Sequence, residues 1–229
     1  MTTIASNLQT VRDRIAAACA GAQRRPEEVT LLAVSKTFGP EDVREAHAAG
    51  QRAFGENYIQ EAVEKIALLA DLPLEWHCIG PIQSNKTRLV AQHFDWAHTV
   101  DRLKIAQRLS EQRPAGKPRL QVCIQVNIDG GATKSGVPPQ DVADLARQVA
   151  GLPNLRLRGL MTIPEPAADL AGQLAVHRKA ADLFGQLRDA GLPLDTLSMG
   201  MTADLEAAIA AGSTMVRVGT AIFGSRTRT

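Results

Sequence analysis

Eight short apolar runs rich in β-branched residues recur along the chain, at 30–35, 52–55, 76–80, 95–100, 121–127, 157–163, 195–200 and 214–219. The segments between them, 41–49, 59–70, 84–93, 102–112, 139–150, 169–190 and 203–211, have the apolar spacing of helices, and an amphipathic stretch at 4–20 precedes them all. Strand alternating with helix requires parallel pairing through crossovers. The pattern predicts an α/β fold, a single (β/α)8 barrel of the TIM type with an extra N-terminal helix, spanning residues 1–229 as one domain. The competing doubly wound sheet wants a Gly-rich turn after its first strand, and SKTFGPED, at 35–42, is not one. The Gly/Pro-rich stretch 129–139 reads as a loop rather than a boundary.

Composition narrows the partners. The chain's 229 residues are 45% hydrophobic and 22% charged, enough for a proper core. A net charge of +2, with Lys and Arg spread singly or in twos, predicts no nucleic-acid partner. No segment holds the roughly 20 apolar residues that span a bilayer, so no membrane partner is expected. Arg12, Asp13 and Arg14 interrupt the N-terminal apolar stretch, which therefore lacks the core of a signal peptide. Cys19, Cys78 and Cys123 lie far apart, in neither metal-ligand nor disulfide spacing. A reducing, cytoplasmic setting follows as the expectation, and without an obvious exposed apolar stripe the expected state is a monomer.

In a barrel of this type, chemistry sits at the C-terminal ends of the strands. Lys36 ends the first run, TLLAVSK, where an amine is an unusual residue to bring to the end of a buried strand. Gly55, Glu56 and Asn57 end the second, His77 lies in the third, Asn127 ends the fifth, and Met161-Thr162 the sixth. The last two ends carry glycine beside hydroxyl residues: Ser198, Gly200 and Thr202, then Arg217, Gly219 and Thr220. Loops after strands seven and eight often hold phosphate. Glycine lets backbone N–H groups approach an anion, and a helix starting near 203 would add its positive end. A lysine in a low-dielectric mouth has a depressed pKa and can condense with a carbonyl compound as a Schiff base. Amine plus phosphate loops point to a phosphorylated carbonyl, either a sugar phosphate or pyridoxal 5′-phosphate (PLP). Both readings stand beside a plainer one: a surface lysine and ordinary helix caps.

The motifs VSKT at 34–37, FGENY at 54–58, HCIGPIQSNK at 77–86, RLRGLMTIP at 156–164 and LSMGMTADLEAAIAAGSTMVRVGTAIFG at 197–224 occur in an order that resembles the YggS/PROSC family of pyridoxal phosphate homeostasis proteins. The resemblance implies a barrel like the N-terminal domain of alanine racemase, with PLP as cofactor on Lys36. It implies further that Ser198, Gly200, Gly219 and Thr220 hold the phosphate, that Arg217 faces the pyridine nitrogen, and that Asn57 and His77 lie close to the ring. Thr202 departs from the serine common in the family but keeps the hydroxyl. Without the resemblance, Arg217 reads as the partner of a carboxylate such as Glu165 or Asp204.

Two functions fit such a site. One is a PLP carrier that buffers the cofactor or delivers it to apo PLP-dependent enzymes, affecting amino-acid and keto-acid balance, with no catalytic residue assigned. The alternative is an amino-acid racemase. A two-base racemase needs a proton donor opposite the lysine, and the single tyrosine, Tyr58, is the one candidate of the relevant type. The carrier is the expected function, since a lone barrel leaves the substrate side open to water. A Schiff-base aldolase acting on sugar phosphates lacks the resemblance. Lys86 and Lys134 read as solvated, with a second PLP site as the alternative for either.

Overall fold

The computed structural model describes residues 3–131 and 135–224. Lys134 lies outside the described residues. The eight strands are β1 (Thr30–Val34), β2 (Ala53–Glu56), β3 (Glu75–Cys78), β4 (Trp96–Val100), β5 (Leu120–Val126), β6 (Leu155–Thr162), β7 (Thr196–Ser198) and β8 (Met215–Val218). They pair in parallel and in sequence order, and β8 closes onto β1. This is the barrel that the alternating runs predict.

Side chains along each strand alternate between two layers. Leu32, Val34, Ala53, Ile79 and Met215 form one cluster in the interior, and Trp96, Cys123 and Met161 form another. The intervening residues, among them Ala33, Phe54, Trp76, Ala97 and Val122, belong to the larger core between strands and helices. The helices of that outer layer are α1 (Ile4–Gly21), α2 (Pro40–Ala48), α3 (Ile59–Leu68), α4 (Thr87–His93), α5 (Leu103–Gln112), α6 (Val142–Ala150), α7 (Leu170–Asp189), α8 (Leu205–Ala210) and α9 (Thr220–Phe223). None is long and apolar enough to cross a membrane. The three cysteines are buried and free.

The N-terminal helix has a structural task. Thr3 and Ser6 cap it reciprocally, and Ile4, Leu8, Val11, Ile15 and Cys19, at helical spacing, bury one face. That face packs on α2, α8 and α9. The described helix after β8 is only four residues long, so α1 covers the seam that a full final helix would cover. It also grips the last two loops. Arg14 donates to the Thr202 carbonyl at 3.1 Å and pairs with Glu206 at 2.8 Å, while Asn7 donates to the Ile222 carbonyl at 2.9 Å.

Several boundaries differ from the sequence expectation. The expected helix at 139–150 splits into a 3-10 turn, Pro139–Asp141, and α6. The expected helix at 203–211 shortens to α8, since Asp204 accepts from Met201 N at 2.7 Å and folds 201–204 into a turn. Strand β7 stops at Ser198. At Gly200 the chain turns with φ +95°, and a Cβ there would meet Ala208 Cβ at 2.4 Å, so only glycine fits. The turn Pro26–Glu28 and helix α9 carry no periodicity long enough to foresee.

Candidate functional site

Lys36 stands two residues past the end of β1 and is half-buried. The residues on either side of it are fastened. Ser35 N donates to Gly55 O at 3.0 Å, extending the β1–β2 ladder. Ser35 Oγ donates to Glu56 Oε1 at 2.6 Å, and Lys65 Nζ donates to the Ser35 carbonyl at 2.9 Å. Thr37 sits in the left-handed region at φ 68°, and its N–H donates to Glu61 Oε1 at 2.9 Å. Phe38 stacks on Phe223 with ring centres 5.0 Å apart. Lys65 joins these contacts through ion pairs to Glu56 at 2.7 Å and Glu61 at 3.2 Å. Burial pushes the Glu56 carboxyl up and the Lys65 ammonium opposes the rise. A fully buried carboxylate and an almost fully buried ammonium thus hold the turn that presents Lys36.

The sequence marks Glu56 only as part of a strand end and gives Lys65 no distinguishing context. The i,i+4 pair Glu61–Lys65 reads as an ordinary exposed helix contact. The signal available was Glu56 itself, an acid inside an apolar strand, which requires a partner.

Arg217 is buried near the top of β8. Its Nη1 donates to Ser198 Oγ at 2.7 Å and its Nη2 to the Thr162 carbonyl at 2.8 Å. Burial lowers its pKa to about 10, against the pull of Asp204 and Cys123, so it remains a cation at neutral pH. Its hydrogen bonds go to a hydroxyl and a carbonyl. Asp204, one expected carboxylate partner, instead accepts from Met201 N and bonds His177 Nε2 at 2.9 Å.

The loops after β7 and β8 meet beside Arg217, whose N–H donates to Gly200 O at 2.9 Å. Thr202, Gly219 and Thr220 are open to solvent to differing degrees. Ser198 is not with them. Its hydroxyl is fully buried between Arg217 and His98, because it points along the inward face of β7. The hydroxyls that do reach the rim are those of Thr202 and Thr220.

His77 is also deeper than expected. Its ring is fully buried, bonded to Glu75 Oε1 at 2.8 Å and to His98 Nε2 at 2.9 Å, and stacked on Trp96 at 5.1 Å. It reaches Arg217 only through His98 and Ser198. The sequence hid His98 in the run DWAHTV, where period-two alternation with Trp96 was the one available sign that it faces inward.

Asn57 does lie at the mouth. Its Oδ1 is buried and has no hydrogen-bond partner among the described residues, and the same holds for Asn127 Oδ1 and Thr162 Oγ1. All three stand at or just beyond strand C-termini. Gly80 packs against Asn57, where a Cβ would come within 2.0 Å of the Asn57 carbonyl oxygen. Tyr58 is 52% exposed. Lys86 is half-buried and its Nζ donates to Gln60 Oε1 at 3.3 Å.

A sequentially closed parallel barrel with an amine after its first strand and a buried arginine in its eighth defines a class, and the comparisons agree with it. The family described as "Alanine racemase, N-terminal domain" matches residues 4–227. A pyridoxal phosphate homeostasis protein of Pseudomonas aeruginosa is 63% identical over 226 residues, covering 99% of this chain and 97% of the relative. One from Escherichia coli K12 is 57% identical over 229 residues, covering 99% and 98%. The solved structure of PipY from Synechococcus elongatus PCC7942 with PLP bound is 40% identical with a TM-score of 0.81, covering 92% of this chain and all of that one. The chain belongs to this family of pyridoxal phosphate homeostasis proteins. Alanine racemase of Clostridium difficile 630, 14% identical with a TM-score of 0.75, shares the fold.

Proposed function

We propose that this chain holds PLP as a Schiff base on Lys36 and acts as a cytoplasmic, monomeric carrier that buffers the cofactor or delivers it to apo PLP-dependent enzymes. The observation that carries the reading is the mouth itself: Lys36 follows a fastened strand end, and Asn57 Oδ1, Asn127 Oδ1 and Thr162 Oγ1, at the C-terminal ends of β2, β5 and β6, are buried without hydrogen-bond partners among the described residues. Buried polar groups are ordinarily satisfied, so three orphans at the same end of the barrel fit a polar ligand. Relatives at 63% and 57% identity bear the homeostasis name, and a structural neighbour carries PLP.

When bound, PLP supplies an aldehyde that condenses with amines and a ring that can delocalise charge. The chain's residues divide the remaining work. Gly200, Thr202, Gly219 and Thr220 receive the phosphate on loops that Arg14 and Asn7 brace from α1. Arg217 faces the pyridine nitrogen, and as a fixed cation it disfavours a proton there. A ring kept unprotonated is a weaker electron sink, which suits holding the cofactor better than turning over substrate. Tyr58, the candidate proton donor, is exposed to water at the head of α3.

The test is paired. The purified protein should absorb visible light, lose that band to borohydride, and lose it entirely in Lys36→Ala. Incubated with amino acids in deuterium oxide, it should leave the α-proton unexchanged yet transfer PLP to an apo-enzyme. Steady α-proton exchange that depends on Lys36 would instead make it a racemase.

A further inference from the structure

An unbroken hydrogen-bonded chain runs through the barrel interior from the mouth to the floor. Arg217 Nη1 donates to Ser198 Oγ at 2.7 Å; Ser198 Oγ lies 3.1 Å from His98 Nδ1; His98 Nε2 lies 2.9 Å from His77 Nδ1; and His77 Nε2 lies 2.8 Å from Glu75 Oε1. Ser198 and both imidazoles are fully buried, whereas Glu75, the first residue of β3, has a half-exposed side chain. The middle of the chain is walled in. Trp96 stacks on His77, and Arg158, held by Asp195 at 2.7 Å and Gln121 at 2.9 Å, lies 4.6 Å above the Trp96 ring.

The two ends determine where every hydrogen sits. An arginine can only donate, and an ionised carboxylate can only accept. The bond from His77 holds the Glu75 carboxyl below its ordinary range, so it is ionised at neutral pH. Burial holds both imidazoles below theirs, so each is neutral and carries one N–H. Starting from Glu75, His77 must carry its hydrogen on Nε2 and accept at Nδ1. His98 must then carry its hydrogen on Nε2 and accept at Nδ1. The Ser198 hydroxyl hydrogen points to His98, leaving an oxygen lone pair for Arg217. Starting from Arg217 gives the same assignment. Such a one-way chain polarises each of its members in turn.

We propose that Glu75, on the barrel floor, is a positioning residue for the site at the mouth: it sets the direction of this chain and through it the orientation and field of Arg217. The proposal rests on the reading that Arg217 faces the pyridine nitrogen of PLP. A half-exposed carboxylate at the far end would then influence how tightly and in what electronic state the cofactor is held. Sealing by Trp96 and Arg158 keeps water from breaking the sequence of donors.

The test begins without cofactor. Long-range 1H–15N correlation on histidine-labelled, PLP-free protein at pH 7 should show His77 and His98 both as neutral Nε2–H tautomers. A Nδ1–H or doubly protonated ring at either position would overturn the proposal. Glu75→Lys places a donor-only group at the floor and should invert both rings to Nδ1–H, including His98, which does not touch residue 75. Glu75→Gln retains an acceptor oxygen and should preserve both tautomers. It also serves if the lysine variant fails to fold, because a changed His98 tautomer in Glu75→Gln would equally overturn the proposal.

On PLP-loaded protein, Glu75→Lys should move the visible band and speed PLP loss by about three- to tenfold, the scale of one ordinary hydrogen bond, while Glu75→Gln stays near wild type. Inverted tautomers with an unmoved band and unchanged PLP loss would sink the positioning role. Lys36→Ala should abolish covalent retention and leave both tautomers as they are. If Lys36→Ala still retained PLP covalently, the carrier reading on Lys36 would fail while the tautomer result stood by itself.

Discussion

The two ends of the barrel are built on opposite rules. At the floor, most of the polar groups are matched: Arg158 with Asp195 and Gln121, Glu75 with His77, and Arg113 with the carbonyls of Ala91, Phe94 and Pro118, with Gln112 Oε1 the exception among the described residues. At the mouth, four buried polar atoms, Glu56 Oε2, Asn57 Oδ1, Asn127 Oδ1 and Thr162 Oγ1, have no hydrogen-bond partner among the described residues, and the backbone is strained at Thr37. Orphaned buried groups cost free energy, and strain of this kind persists only where surrounding structure enforces it. The difference teaches that stability resides at the floor and in the outer layer, while the mouth surrenders some of it to receive a ligand.

The sharpest way to break that comparison is to remove the enforcement. Lys65→Met strips the ammonium from Glu56 and leaves a buried carboxyl uncompensated. It should cost about 3–5 kcal/mol in urea unfolding, with the covalent loading of Lys36 falling alongside. If loading survived a loss of that size, the turn at Lys36 would not depend on the clamp. Gly200→Val comes next. A side chain forced into φ +95° against Ala208 should cost about 1–3 kcal/mol and weaken PLP binding. A phosphate-free analogue, pyridoxal, should be less affected, which separates the phosphate loop from general damage.

Acid should act through the interior instead. His77 and His98 are held neutral by burial, and each has a folded pKa below its ordinary value. The unfolded chain takes up protons below about pH 6.5 that the folded chain refuses. Stability should therefore be flat above that pH and fall below it, by up to about 1.4 kcal/mol per pH unit for each ring. Denaturant melts of wild type and His98→Gln between pH 7.5 and 5 (roughly the histidine window) should show the smaller slope in the variant. Equal slopes would mean the rings are protonated in place.

The smallest effect is the most telling about the mouth. Thr162→Val deletes an unmatched hydroxyl, so it should leave stability unchanged or raise it by up to about 1 kcal/mol, while PLP is lost faster. A destabilised Thr162→Val would mean that this hydroxyl is matched after all, and the contrast between the two ends would narrow.

Much of this was legible beforehand, for identifiable reasons. Lys36 stood out because an amine ends an apolar strand. The pair of Gly and Ser/Thr motifs stood out because strand ends in such a barrel converge on one rim. What was not legible was depth. Ser198 and His77 lie at the expected strands with their side chains buried inside the barrel, because alternation along β7 and β3 turns both inward. His98, Lys65 and Glu75 were invisible, since each sits in a local pattern that an ordinary core strand or exposed helix would also show.

By itself, then, the order of residues determined the alternation of strands and helices, the closed parallel sheet that follows from it, and the lysine at the end of β1. These depend on period and on neighbours in sequence. What tertiary structure alone decided was pairing across the barrel: which acid meets Lys65, which hydroxyl meets Arg217, which polar atoms are left over. Hydrogen bonds act over about 3 Å, and groups as far apart in sequence as His98 and Ser198 come that close only once the sheet has closed.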